Sequence, residues 1–181
     1  MPSPGVNIAI FENGRVLLTR REDFEVWCLP GGAVDPGESI AQAAVREARE
    51  ETGLEVHLTR LVGLYSWPNW HAEGTHAVVF AAKPVGGKLY IHPAEVLEAH
   101  YFSLQELPEP ILFGQSRRIK DALLGVSGAV YSRLDAVWPF GTEITRPELY
   151  DLRDRSGLSR QQFYLKYFGP IGTEGEQLEV G

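Results

Sequence analysis

The chain is poor in sulfur: one cysteine, Cys28, and one methionine stand among 181 residues. A single cysteine excludes an intramolecular disulfide framework and suits a reducing compartment. Cys28 sits in an apolar, aromatic stretch and reads as a packed residue rather than a nucleophile. Long hydrophobic runs are also missing, and nothing approaches the roughly 20 apolar residues needed to cross a bilayer. The first residues, MPSPGVNIAIF, lack the basic region and apolar core of a signal peptide. These absences predict a soluble, cytoplasmic protein without membrane contact. Positive charge is scarce too, with 17 Lys and Arg against 24 Asp and Glu and a net charge of -7. That balance argues against broad nucleic-acid binding, yet leaves room for a phosphorylated small molecule held through a metal ion. Internal repeats and low-complexity segments are absent as well.

What the chain does have is a dense run from Gly32 to Leu54, GAVDPGESIAQAAVREAREETGL. Within it Glu47, Glu50 and Glu51 stand at helical spacings of three and four, so their side chains share one face. Three like charges on one face repel unless a cation joins them. Oxygen ligands without Cys or clustered His favour Mg²⁺ or Mn²⁺ over Zn²⁺. The helix is predicted to start at Ser39, with Gln42 completing a capping box, and to end at Thr52-Gly53-Leu54. Ile40, Ala43, Ala44, Val45 and Ala48 supply its apolar side.

Around this helix the pattern is one of strands. Val6 to Phe11 and Val16 to Thr19 flank an Asn13-Gly14 hairpin turn. Residues 22–28 read as a loop and Leu29 to Gly32 as a sharp turn. Val56 to Leu64, Thr75 to Ala82, Lys88 to Ile91 and Tyr101 to Leu104 read as extended, and Gln115 to Leu124 as a second helix. Strands interleaved with two helices predict an α/β fold, a mixed β-sheet covered on both faces in an α/β/α sandwich.

Residues 32–54 resemble the Nudix box of the Nudix (MutT-like) hydrolases. The fixed positions of that pattern are Gly32, Glu38, Arg46, Glu47, Ala48, Glu50, Glu51, Gly53 and Leu54, and every one is filled. Asp35 departs from the Glu found in many members. The resemblance covers roughly residues 5–124 and implies a Nudix fold over residues 1–124. It implies a metal-dependent hydrolase cutting the diphosphate linkage of a nucleoside diphosphate derivative such as a nucleotide or nucleotide sugar. Glu47, Glu50 and Glu51 would coordinate Mg²⁺ or Mn²⁺ with the carbonyl of Gly32, Arg46 would hold the carboxylates, and Glu38 would brace the loop or reach the metal through water. The general base is open between Glu50 in the box and Glu95 or Glu98, in a stretch resembling the family's loop before a later strand.

Substrate contacts are expected outside the box. Arg20 and Arg21 end a strand ahead of it, and a guanidinium there suits phosphate. Trp67 and Trp70 stand in a Pro/Asn loop where exposed rings can stack on a base, or pack against the body or a dimer mate. His71 beside them is a lesser candidate.

Residues 125–181 lie beyond the usual family core. Arg146 to Arg155, with Pro147 in the first turn and Leu149 and Leu152 as apolar positions, and Ser159 to Phe168 predict two helices. Their outline fits a helix-turn-helix, as in Nudix-like ligand-sensing transcription regulators that contact DNA. A helical extension packed on the domain or a homodimer mate accounts for Tyr150, Phe163, Tyr164, Tyr167 and Phe168 more simply. Gly172 to Gly181 are expected to form a mobile tail.

Overall fold

A computed structural model describes residues 4–70, 74–126, 130–134, 136–140, 144–171 and 176–180. Strands β1 (Gly5–Glu12) and β2 (Arg15–Arg21) form the expected hairpin. Asn13 and Gly14 both take positive φ, 51° and 75°, the backbone that a tight two-residue hairpin turn requires. Next come β3 (Trp27–Cys28), β4 (Gly31–Ala33) and helix α1 (Ile40–Thr52). The long strands β5 (Leu54–Trp67) and β6 (Thr75–Gly87) are followed by β7 (Val96–Phe102) and helix α2 (Gln115–Leu123). Beyond the expected core lie β8 (Val130–Leu134), α3 (Arg146–Arg155), α4 (Arg160–Tyr167) and β9 (Glu176–Val180).

Among the described residues the strands join in the order β3-β2-β1-β6-β5-β8-β9, with β4 also on β1 and β7 on β2. The β1–β6 and β5–β8 pairs are parallel and the others antiparallel, so the sheet is mixed. Its two faces are read directly off β1 and β2. Val6, Ile8, Ile10 and Leu17 pack with Ala43, Ala44 and Ala48 of α1, whereas Ala9, Val16 and Leu18 pack with Ile119 and Ala122 of α2. Strands buried on both faces read as continuous apolar runs, and the result is the expected α/β/α sandwich.

The cap of α1 has both predicted bonds, Gln42 N–H to Ser39 Oγ at 3.1 Å and Ser39 N–H to Gln42 Oε1 at 2.7 Å, and Gly53 closes the helix at φ 70°. Val45, expected on the apolar side, is 39% exposed.

Several boundaries differ from the sequence reading. Lys88 to Ile91 is not a strand: β6 runs on to Gly87, and the Tyr90 N–H bonds to Thr52 O at the end of α1. The extended segment expected from Tyr101 begins at Val96, and Leu104 belongs to a 3-10 turn. Two short strands occupy what reads as loop and turn. Gly31 makes β4 feasible: a Cβ there would lie 2.0 Å from the Val6 carbonyl oxygen, so only glycine lets the chain lie this close to β1.

The segment after residue 124 contributes more than helices. β8 extends the sheet along β5 and β9 along β8. Helices α3 and α4 build a third core, in which Leu149, Phe163, Tyr164 and Phe168 enclose Phe24, Val26 and Trp138. Leu152 instead is 46% exposed. Of the expected tail, residues 176–180 form a strand, while 172–175 and 181 lie outside the described residues. No described helix is long and apolar enough to cross a membrane.

Candidate active site

Helix α1 is pinned at the sheet edge by its own acids. Gly31 N–H donates to Glu51 Oε2 at 3.1 Å, and Glu47 packs so closely over Gly32 that a Cβ there would lie 2.3 Å from its Oε1. Glu47 and Glu51, four residues apart, therefore open onto a cleft of about 730 Å³, together with Gly31, Gly32 and Glu95. Arg46 is the cation at the centre of the box. It donates to both Glu38 oxygens at 3.1 and 2.7 Å, to Glu47 at 2.8 Å, to Glu50 at 3.0 Å and to the Ala33 carbonyl at 3.0 Å. Those bonds hold the Glu38 carboxyl below its usual range. Glu50 is 57% exposed against 13% for Glu47, and it borders an outer groove with Arg49 and Leu58 rather than the cleft.

Burial sets the charge state at the cleft floor. It pushes the Glu51 carboxyl up to about 8, against the Gly31 N–H bond, and nearby Glu47 and Glu95 add to the rise. Glu47 is raised as well, by burial first and partly offset by Arg46. Among the described residues no three Asp, Glu, His or Cys side chains converge as a ligand set. The fit to a hard divalent ion rests on two cleft-facing carboxylates that repel each other's charge, on Glu50 held by the Arg46 Nη1 that also binds Glu47, and on a glycine whose missing Cβ leaves Glu47 its room.

The other expected site residues fall into two groups. Arg20 and Glu98 are cross-strand neighbours on β2 and β7, bonded to each other at 2.6 Å, and neither borders the cleft. Arg21, one residue on, does border it. Its Nε donates to Asp23 Oδ1 at 2.8 Å and its Nη2 bonds Oδ2, so a carboxylate already shares its charge. Trp67 and Trp70 also line the cleft, within a ring cluster: Trp70 stacks on Phe113 at 5.0 Å and meets Trp138 edge-on at 4.9 Å. His71 lies outside the described residues. Cys28 is buried, and burial raises its thiol to about 12, which removes thiolate chemistry.

Sequence reasoning missed three contributors. Asp23 sits in a stretch that reads as an anonymous loop. Arg118 of α2, only 3% exposed, lines the cleft, donates to Asn7 Oδ1 at 2.6 Å and lies 4.2 Å from the centre of the Trp67 ring. The third is the part of the cleft lining that Trp138, Ile144, Leu149 and Tyr150 supply from beyond residue 124. Their aromatic density was the available signal, but nothing in the sequence aimed it at the carboxylates.

Comparison with known proteins agrees with this geometry. The family model for the NUDIX domain matches residues 1–123. The chain is 34% identical over 131 residues to an ADP-ribose pyrophosphatase of Methanocaldococcus jannaschii, covering 70% of this chain and 76% of that protein. It is 35% identical over 116 residues to the NAD-capped RNA hydrolase NudC of Pseudomonas entomophila, covering 63% of this chain but 41% of that one. The solved structure of an ADP-ribose pyrophosphatase from Streptococcus suis superposes with a TM-score of 0.64 at 26% identity, covering 72% of this chain and 99% of that chain. With the box, the sandwich and the family model in agreement, the chain belongs to the Nudix hydrolase family.

Proposed function

We propose that this protein is a Mg²⁺- or Mn²⁺-dependent pyrophosphohydrolase that cuts the diphosphate linkage of a nucleoside diphosphate conjugate. The observation that carries the reading is one cleft lined both by Glu47, Glu51 and Glu95 and by Trp67 and Trp70. A conjugate bound along it has its diphosphate at the acids and a flat ring at the aromatics.

Glu47 and Glu51 would hold the ion with the Gly32 carbonyl, and Glu50, which faces the outer groove, would join them by turning away from Arg46. When bound, a divalent ion neutralises the diphosphate oxygens and offsets charge that builds up in the transition state. Arg21, steadied by Asp23, and Arg118 line the same cleft and would offer positive charge to a phosphate. Glu95 borders the cleft and takes a proton from the attacking water. The water oxygen bonds to one phosphorus, the bridging P–O bond breaks, and two phosphorylated products leave. Relatives that act on ADP-ribose and on NAD-capped RNA favour a substrate of this class.

A regulator that contacts DNA through α3 and α4 has less support. The arginines that would reach phosphates are engaged within the chain, Arg153 Nη1 with the Asp23 carbonyl at 2.5 Å and Arg160 Nη1 with the Glu22 carbonyl at 2.7 Å.

The test is product release from a panel of nucleoside diphosphate conjugates, ADP-ribose included, with Mg²⁺, with Mn²⁺ and with chelator. Metal-dependent turnover that drops about a hundredfold or more in Glu51→Gln supports the reading. A panel without turnover, joined to salt-sensitive sequence-specific DNA binding, overturns it.

A further inference from the structure

Arg21 is the last residue of β2, and the sheet alone does not fix it. The pairing of β2 with β7 shifts register between Arg20 and Arg21, which sets Arg21 beside Val96, and both line the cleft. The chain then makes a tight turn, closed by the Glu25 N–H on the Arg21 carbonyl at 3.0 Å. Glu25 itself has a φ of 56°, a left-handed backbone that a non-glycine residue keeps only where partners hold it. The Glu22 N–H bonds to the Glu95 carbonyl at 2.9 Å, so the turn is also joined to the loop that brings Glu95 to the cleft.

The partners that hold this turn come from beyond residue 123, where the match to the family model ends. Arg153 of α3 donates to the Asp23 carbonyl at 2.5 Å, Arg160 of α4 to the Glu22 carbonyl at 2.7 Å and Gln161 to the Glu25 carbonyl at 3.4 Å. Tyr150 adds a bond to the Asp23 carboxylate at 2.9 Å. Asp23 in turn fixes the Arg21 side chain, accepting from Nε at 2.8 Å and from Nη2. Those bonds use the Nε edge of the planar fork, and Nη1 takes no part in them. Nor does the pair cancel the charge. Arg146 Nη2 also approaches the Asp23 carboxylate at 3.5 Å, so two guanidiniums share one acid beside the cleft.

We propose that Tyr150 and Arg153 are positioning residues, which act through Asp23 to hold the Arg21 guanidinium in the orientation that meets a substrate phosphate. The segment beyond the family-like portion then serves substrate binding without having to touch the phosphate itself. A guanidinium rewards such support, because its flat fork matches phosphate oxygens at two points only when its plane is set. A small misplacement of a binding group weakens everything that depends on it. Residues that merely seal α3 against the domain would stabilise the fold and leave the behaviour of Arg21 alone, and that difference can be measured.

The positioning role rests on the hydrolase reading for the diphosphate it serves, but it is tested by binding. The full chain, with Mg²⁺ present, is titrated calorimetrically with the methylene analogue of ADP, whose P–C–P bridge resists hydrolysis. Arg21→Gln is expected to weaken binding about tenfold or more. Tyr150→Phe keeps the ring and loses only the hydroxyl, while Arg153→Met keeps the stem and loses the donors. Each is expected to weaken binding about threefold to tenfold when Arg21 is present. In the Arg21→Gln background each should change affinity by less than about twofold, although each still lowers the melting temperature. Losses of equal size on the two backgrounds, or an affinity unchanged in both single variants, would overturn the positioning role. So would a wild-type chain that does not bind the analogue. A chain that shows the dependence on Arg21 yet releases no product from the diphosphate panel would remove the hydrolase reading and leave the positioning in place.

Discussion

Tyr150 donates its phenol hydrogen to the carboxylate of Asp23 at 2.9 Å, a bond that spans 127 positions in the chain. Asp23 is also the partner of Arg21, so the end of β2 and the middle of α3 meet on one carboxylate. A hydrogen bond to a charged group contributes about 1.5–3 kcal/mol. Tyr150→Phe is therefore expected to lower stability in urea unfolding by about 1–2 kcal/mol, since Arg21 and Arg146 remain on the acid. In a double-mutant cycle with Asp23→Asn the two changes should be non-additive by more than about 0.5 kcal/mol.

The same carboxylate gives stability an acid limb. Burial alone would raise the Asp23 value, but Arg21, then Tyr150 and Arg146, outweigh it and hold the group below its ordinary range. The unfolded chain then takes up the proton first as pH falls. The contribution of Asp23 is complete above the ordinary aspartate value of about 3.9 and is lost as pH drops below it toward the folded value. Melting temperatures measured from pH 7 down to pH 3 should fall at the acid end, and Asp23→Asn should flatten part of that fall. An identical slope in the variant would remove Asp23 as a source.

Adjacent glycines should fail in different ways. Gly31→Ala sets a methyl 2.0 Å from the Val6 carbonyl oxygen at a φ of +151°, so backbone must move and stability should fall by several kcal/mol, on the order of other strained sites. Gly32→Ala meets the end of the Glu47 side chain instead, at 2.3 Å. Its melting temperature should stay near wild type while Mn²⁺ affinity, read by paramagnetic resonance, weakens about tenfold or more.

The rival bases separate by position. Glu95 borders the cleft, Glu50 lies on the outer groove with Arg46, and Glu98 is tied to Arg20. Glu95→Gln is expected to lower kcat about 10²- to 10⁴-fold with little change in KM. Glu98→Gln should stay within about threefold of wild type. Glu50→Gln should lose turnover chiefly through weaker metal binding, recoverable at high metal concentration. Near-wild-type kcat in Glu95→Gln would shift the base elsewhere.

Local chemistry was the legible part of this chain. The capping box at Ser39, the left-handed Gly53, the Asn13-Gly14 turn and the Pro147 helix start each act within a few residues, and each appears where the sequence puts it. Placement by distant partners was opaque. Alternation puts Arg20 and Arg21 on opposite sides of β2, but only the pairing of β2 with β7 gives Arg20 to Glu98 and leaves Arg21 on the cleft. Equal helical spacing likewise does not reveal that Arg46 draws Glu50 outward while the glycines keep Glu47 and Glu51 inward. The C-terminal rings were visible as a group, and their target was not, because Asp23 and Glu22 receive them from more than a hundred residues away.

The pairing of β8 with residues 63–66 of β5 has a practical meaning for anyone trimming the protein. A chain stopped after the family-like portion would bare the main-chain donors and acceptors of the residues 63–66 that β8 pairs. Such a border is adhesive, and the shortened protein should self-associate through it. In this chain the added segment works as a hem along part of β5 at the same time as it walls the cleft.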